Sequence, residues 1–141
     1  MNKRSNHQFF GLAVFSLGLL FLFGVLGCDS GPNTGFVSGK VTIDGEAKEG
    51  TVVTFSPKTG ERSAIGYTDA KGEYYLRFTQ DKKGCIPGMH LVSITAYKDP
   101  ESEYTQYLPA TYNDKASDNP DLNNVEVKKG KQVINFEVKT N

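Results

Sequence analysis

Downstream of residue 28 the apolar side chains recur with a period of two, and no stretch carries a convincing period of 3.6. That alternation belongs to strands with one buried and one wet face, because successive side chains on a strand point to opposite sides. In Phe36–Ile43, Val37, Gly39, Val41 and Ile43 share one face, while Ser38, Lys40 and Thr42 take the other. Asp44-Gly45 reads as a turn, and Thr51–Ser56 resumes with Val53 and Phe55 inward. Pro57 and Gly60 bracket the next turn before a short strand at Ala64–Thr68. Asp69-Ala70-Lys71-Gly72 leads into Glu73–Thr79, where Tyr74, Leu76 and Phe78 alternate with Glu73, Tyr75 and Arg77. An Asp69 carboxylate can cap this turn, and Gly72 takes positive φ at little cost.

After a polar loop, Gln80–Gly88, the clearest strand is His90–Tyr97, with Val92, Ile94 and Ala96 on one face. Lys98–Gln106 loses the pattern and reads as an exposed excursion. Leu108–Tyr112 is expected as a short edge strand, since Pro109 cannot donate to a central ladder. Asn113–Asp121 is turn chemistry. Val125–Lys128 and Gln132–Lys139 are expected to pair as a hairpin across Lys129-Gly130, with Ile134, Phe136 and Val138 inward. Seven or eight short strands at this spacing predict an all-β antiparallel β-sandwich.

The N-terminal segment is of another kind. Lys3 and Arg4 precede Phe9–Leu26, which holds no charge and only Ser16 as a polar side chain. A basic start, an apolar run and a small residue at its end are the parts of an export signal. Eighteen apolar residues also just reach the length of an uncleaved membrane anchor. Glycines at 11, 18, 24 and 27 loosen such a helix and favour cleavage. Val25-Leu26-Gly27-Cys28 resembles the bacterial lipobox, with Val where Leu is commoner. The resemblance implies cleavage after Gly27 and a diacylglycerol thioether on Cys28. Residues 1–27 are then a signal peptide, 28–35 a lipidated tether and 36–139 the domain. The chain is expected in the cell envelope, lipid-anchored on the extracytoplasmic side of a bacterial membrane. Asp29 is similar to an inner-membrane retention signal of some bacteria, and which membrane is left open.

Cleavage would leave 141 − 27 = 114 residues, enough for one domain with its own core. The chain has 16 basic and 16 acidic residues; losing Lys3 and Arg4 leaves 14 against 16, a net charge near −2. A nucleic-acid partner, which selects a basic face, is not expected. Two cysteines in an exported chain ordinarily suggest one disulfide. Lipid on Cys28 would remove that option and leave Cys85 either as a small buried hydrophobe or as a reactive or intermolecular thiol.

Val37-Ser38-Gly39-Lys40-Val41-Thr42-Ile43-Asp44-Gly45, Thr68-Asp69-Ala70-Lys71-Gly72-Glu73-Tyr74, Ile86-Pro87-Gly88-Met89-His90-Leu91-Val92 and Leu108-Pro109-Ala110-Thr111-Tyr112-Asn113-Asp114 carry a resemblance. They are similar to the strand and turn motifs of carboxypeptidase-regulatory-like, or transthyretin-like, domains. The resemblance spans nearly all of Phe36–Lys139. It implies a Greek-key, prealbumin-like (Ig-like) sandwich acting as a non-catalytic module, here within a small bacterial lipoprotein.

Searching the residues for chemistry gives little. His90 is the one histidine after Cys28, so no His-x-x-Glu or His-x-x-x-His pair exists for zinc, and no cofactor is expected. Its parity with Val92 and Ile94 places it at the rim of the core. Asn113, Asp114, Asp118, Asn119, Asp121, Asn123 and Asn124 are dense but lack a calcium loop's spacing and read as a solvated turn. No Gly-x-Ser-x-Gly elbow is present. Cys85 and His90 are the one thiol–base pair, five residues apart across Pro87-Gly88, with nothing evident to orient the imidazole. An enzyme is not expected. The best candidate ligand patch is Tyr97, Tyr104, Tyr107 and Tyr112, apolar rings with hydrogen-bonding ends among polar residues. The leading expectation is therefore a structural, adhesive or assembly role, with the membrane and an envelope protein or polysaccharide as partners. The alternative is a glycan- or peptide-binding module using the Tyr97–Tyr112 loop.

Overall fold

In the computed structural model the described residues are 34–98 and 106–141, and they belong to one compact unit, Gly31–Asn141. Cys28 and Tyr104 lie outside the described residues. Nine strands are present among them: β1 (Gly35–Ile43), β2 (Glu46–Ala47), β3 (Val52–Pro57), β4 (Ala64–Tyr67), β5 (Glu73–Tyr75), β6 (Gly88–Thr95), β7 (Val125–Val127), β8 (Gly130–Val133) and β9 (Phe136–Val138). They form two sheets. One centres on β1, with β5 and β2 antiparallel to it and β8 and β9 parallel; the other runs β4-β3-β6-β7. The two sheets enclose one core, the arrangement of a β-sandwich.

The alternation read from the sequence sets which side chains enter that core. Val37, Val41 and Ile43 of β1 meet Val53 and Phe55 of β3 and Val92 and Ile94 of β6, all buried. Phe136 lies edge-on to Phe55 at 6.1 Å and stacks beside Tyr74 at 6.4 Å. Asp44 (φ 52°) and Gly45 (φ 88°) both turn left-handed between β1 and β2, the geometry that favours Asp-Gly in two-residue hairpins. Asp69 caps its turn as its sequence suggests: its Oδ1 accepts from the backbone N–H of Lys71 and Glu73, both at 2.9 Å.

Several expectations are corrected. Val125–Lys128 and Gln132–Lys139 are not a hairpin: β7 pairs with β6 in one sheet, while β8 and β9 pair with β1 in the other. Because β1 and β8 run the same way, the sandwich is mixed rather than wholly antiparallel. Leu108–Tyr112 is no edge strand. Leu108 is buried against the core, and Ala110–Tyr112 forms a 3₁₀ turn that begins directly after Pro109. Asn113–Asp121 carries a second 3₁₀ turn, Ala116–Asp118, and runs into a one-turn helix, α1 (Pro120–Asn123), capped by Asn119. These turns deliver Ala116 and Leu122 to the core. The strand expected over Glu73–Thr79 ends at Tyr75; beyond it two isolated bridges continue the pairing, Arg77↔Lys83 and Ile65↔Arg77, the latter joining the two sheets at that edge. Phe78 is only half-buried. The strand expected over His90–Tyr97 begins two residues earlier and stops at Thr95.

Candidate functional site

The thiol–base pair is real in space. Cys85 Sγ lies 3.2 Å from His90 Nε2, and His90 Nδ1 lies 3.0 Å from the Gly88 carbonyl oxygen. A carbonyl only accepts, so Nδ1 carries the proton and Nε2 accepts from the thiol. The orienting group that the sequence did not reveal is thus a backbone carbonyl two residues away. Yet the pair is sealed: both residues are 0% exposed, and His90 lies within the core against Phe55 rather than at its rim. Burial pushes the Cys85 thiol up to about 12 and the His90 imidazole below its ordinary value. Both shifts favour the neutral thiol and neutral imidazole, whereas a nucleophilic cysteine needs its thiolate. The geometry is that of a structural hydrogen bond. Among the described residues Cys85 has no disulfide partner. Its backbone is also tied to the start of β1, with Gly35 N–H donating to Cys85 O at 2.7 Å and Cys85 N–H to Gly35 O at 2.8 Å.

The tyrosines of the expected patch are half-buried where they are described. Tyr107 and Tyr112 pack against the core. The Lys48 ammonium sits 4.4 Å from the Tyr107 ring centre, and the Tyr112 hydroxyl accepts from Lys139 N–H at 3.2 Å. Tyr97 makes an isolated bridge with Gln106. The Asp/Asn segment is similarly employed. Asn119 caps α1, Asn123 donates to Ser117 O, and Asn124 accepts from Lys58 Nζ. A groove of about 720 Å³ runs between this segment and Ile134–Lys139, and Tyr112, Asn119, Asn124 and Asn135 on its border are already paired in this way.

Among the described residues, five of the six large exposed apolar side chains gather on a surface the sequence reading passed over as a wet strand face. On the outer side of the β1 sheet, Val133 and Tyr75 are the register partners of Ser38 on its two flanks, and Lys131 is the partner of Phe36. Val133 is 70% exposed, Phe36 47% and Tyr75 42%. Ile65 and Tyr67 of β4 add exposed area beside the same tyrosine. Tyr75 stands where three shallow grooves meet. Its ring has the Arg77 guanidinium at 4.9 Å and the Lys83 ammonium at 5.0 Å, and its hydroxyl accepts from Arg77 Nη2. That hydrogen bond, with the two nearby cations, holds the phenol below its ordinary value. Cross-strand register, rather than sequence proximity, assembles this face, so no local motif announces it.

No family model, curated protein or solved structure matches the chain.

Proposed function

We propose that this protein is a lipid-anchored, non-catalytic β-domain on the extracytoplasmic side of a bacterial membrane, with a structural, adhesive or assembly role at the cell envelope. The observation that carries the reading is the junction at Cys28. An uncharged apolar run ends in Val25-Leu26-Gly27-Cys28, and the first core residue of the β-domain, Val37, follows nine positions later. Acyl chains on that one residue would hold the domain stably, each buried methylene contributing about 0.8 kcal/mol. The sealed, neutral Cys85–His90 pair supports the non-catalytic part. A finer reading of the fold goes with it, a Greek-key, prealbumin-like sandwich of the carboxypeptidase-regulatory-like kind. The pairing of β3 with β6 rather than with β5 favours such a non-sequential strand order.

Metabolic labelling with an alkynyl fatty acid tests the anchor in cells making the wild-type chain or Cys28→Ala. The wild type takes up label and the variant does not. An unlabelled wild type, or equal labelling of both, refutes the proposal.

A further inference from the structure

We infer that the face formed by Phe36, Tyr75 and Val133, with Lys83, Lys131 and Arg77 around it, docks on the anionic headgroup layer of the membrane that holds the chain. The inference rests on the Cys28 anchor proposed above and adds an orientation to it.

Three observations converge. The face is apolar at its centre and basic at its edge: the groove of about 600 Å³ beside Phe36 and Val133 is lined by Lys83 and Lys131 and by no acidic residue. Aromatic and aliphatic side chains enter the interfacial layer of a bilayer while lysine and arginine heads reach its phosphates. The acids Asp69 and Glu73 line the adjoining groove beside Lys40, further along β1, which shares Tyr75 and Val133 with this one.

The second observation is position. Phe36 is the second residue of β1 and stands eight residues after Cys28. Eight residues of chain span at most about 28 Å even when fully extended. The face is therefore at the tethered end of the domain, and contact with the bilayer becomes an intramolecular event at high effective concentration. Weak lipid contacts suffice under that condition.

The third is the state of the Tyr75 ring. Sugar-binding aromatics offer an open ring, whereas here Arg77 and Lys83 are each within about 5 Å of the ring centre. Two cations already gathered at an exposed ring are the groups that meet a phosphate.

The chain has no tryptophan, so Phe36→Trp introduces a single fluorescent reporter, and Val133→Trp a second at a site open enough to accept the larger ring. The lipid-modified protein, purified from cells, is reconstituted into vesicles of phosphatidylethanolamine with phosphatidylglycerol, or of phosphatidylcholine alone. In the anionic vesicles both reporters should shift to the blue and be quenched by brominated lipid. Lys83→Glu with Lys131→Glu, or high salt, should remove most of that quenching. The proposal is overturned if the reporters in membrane-bound, lipid-modified protein stay unquenched by brominated lipid and open to aqueous iodide. It is equally overturned if they are shielded only by added envelope polysaccharide or by a second copy of the chain. Absence of lipid on Cys28 would overturn the anchor alone, and quenching of the reporters in such protein would still support the face.

Discussion

A methyl group on residue 39 would sit 1.8 Å from the carbonyl oxygen of Ile134 and 2.6 Å from its carbon. The close approach has a structural purpose. Where β8 gives way to β9, the Ile134 carbonyl turns out of the ladder into the space above Gly39 and accepts the Tyr74 hydroxyl at 2.8 Å. Lys40 N–H is instead satisfied by the Asn135 side chain at 2.8 Å. Both contacts are backbone atoms, so Gly39→Ala cannot be relieved by rotating a side chain; the Ile134 peptide has to move. Overpacking of this kind costs about 1–3 kcal/mol, and an orphaned buried hydroxyl about 1–3 more. Reduced freedom of the unfolded chain returns about 0.4–1 kcal/mol. The net expectation is a loss of about 1–5.6 kcal/mol, which can be a large share of the roughly 5–15 kcal/mol available to a domain. Urea unfolding of Gly39→Ala, Tyr74→Phe and the double variant measures it. Because Tyr74→Phe already removes the hydroxyl, the double variant should cost less than the sum of the singles. A Gly39→Ala cost under about 0.5 kcal/mol, or strict additivity, would refute this account of the β8–β9 junction.

Two predictions concern the sealed pair. His90 is held below its ordinary value by burial, so its unfolded form binds a proton first as the pH falls. Stability should be full above about 6.5 and decline below it by at most about 1.4 kcal/mol per pH unit; His90→Phe should flatten that slope, and an unchanged slope contradicts the assignment. Cys85 behaves in the opposite sense: with its thiol raised to about 12, its contribution is complete below pH 9 and is lost as the pH climbs toward that value. A thiol reagent at neutral pH should leave native Cys85 unmodified and label it promptly in urea, whereas rapid native labelling would reopen a nucleophilic role.

The parts of the fold that follow from alternation were legible. Val37, Val41, Val53, Phe55, Val92 and Ile94 all point inward as their parity requires, because a strand's two faces are written in its own residues. Pairing between strands is not written locally. Lys129-Gly130 looks like a hairpin turn, yet there the chain leaves one sheet for the other, and Gly130 takes its left-handed φ of 90° at the crossing. Leu108–Tyr112 misleads for a related reason: Pro109 is as suited to open a 3₁₀ turn as to sit on an edge, and only the buried Leu108 decides between them. The Cys85–His90 contact was visible as a pair of residue types, but not its depth, since five residues across a Pro-Gly bend can end anywhere. The Phe36–Tyr75–Val133 face was invisible. Its members are far apart in sequence and meet only through the register of β1 with β5 and β8.

The most direct test of the account is the mass of the N-terminal peptide of the native protein, digested without reduction. The account predicts a peptide that begins at Cys28 and carries a diacylglyceryl group on its sulfur, with Cys85 recovered as a free thiol. A peptide extending upstream of Cys28, or a Cys28–Cys85 disulfide, would contradict it.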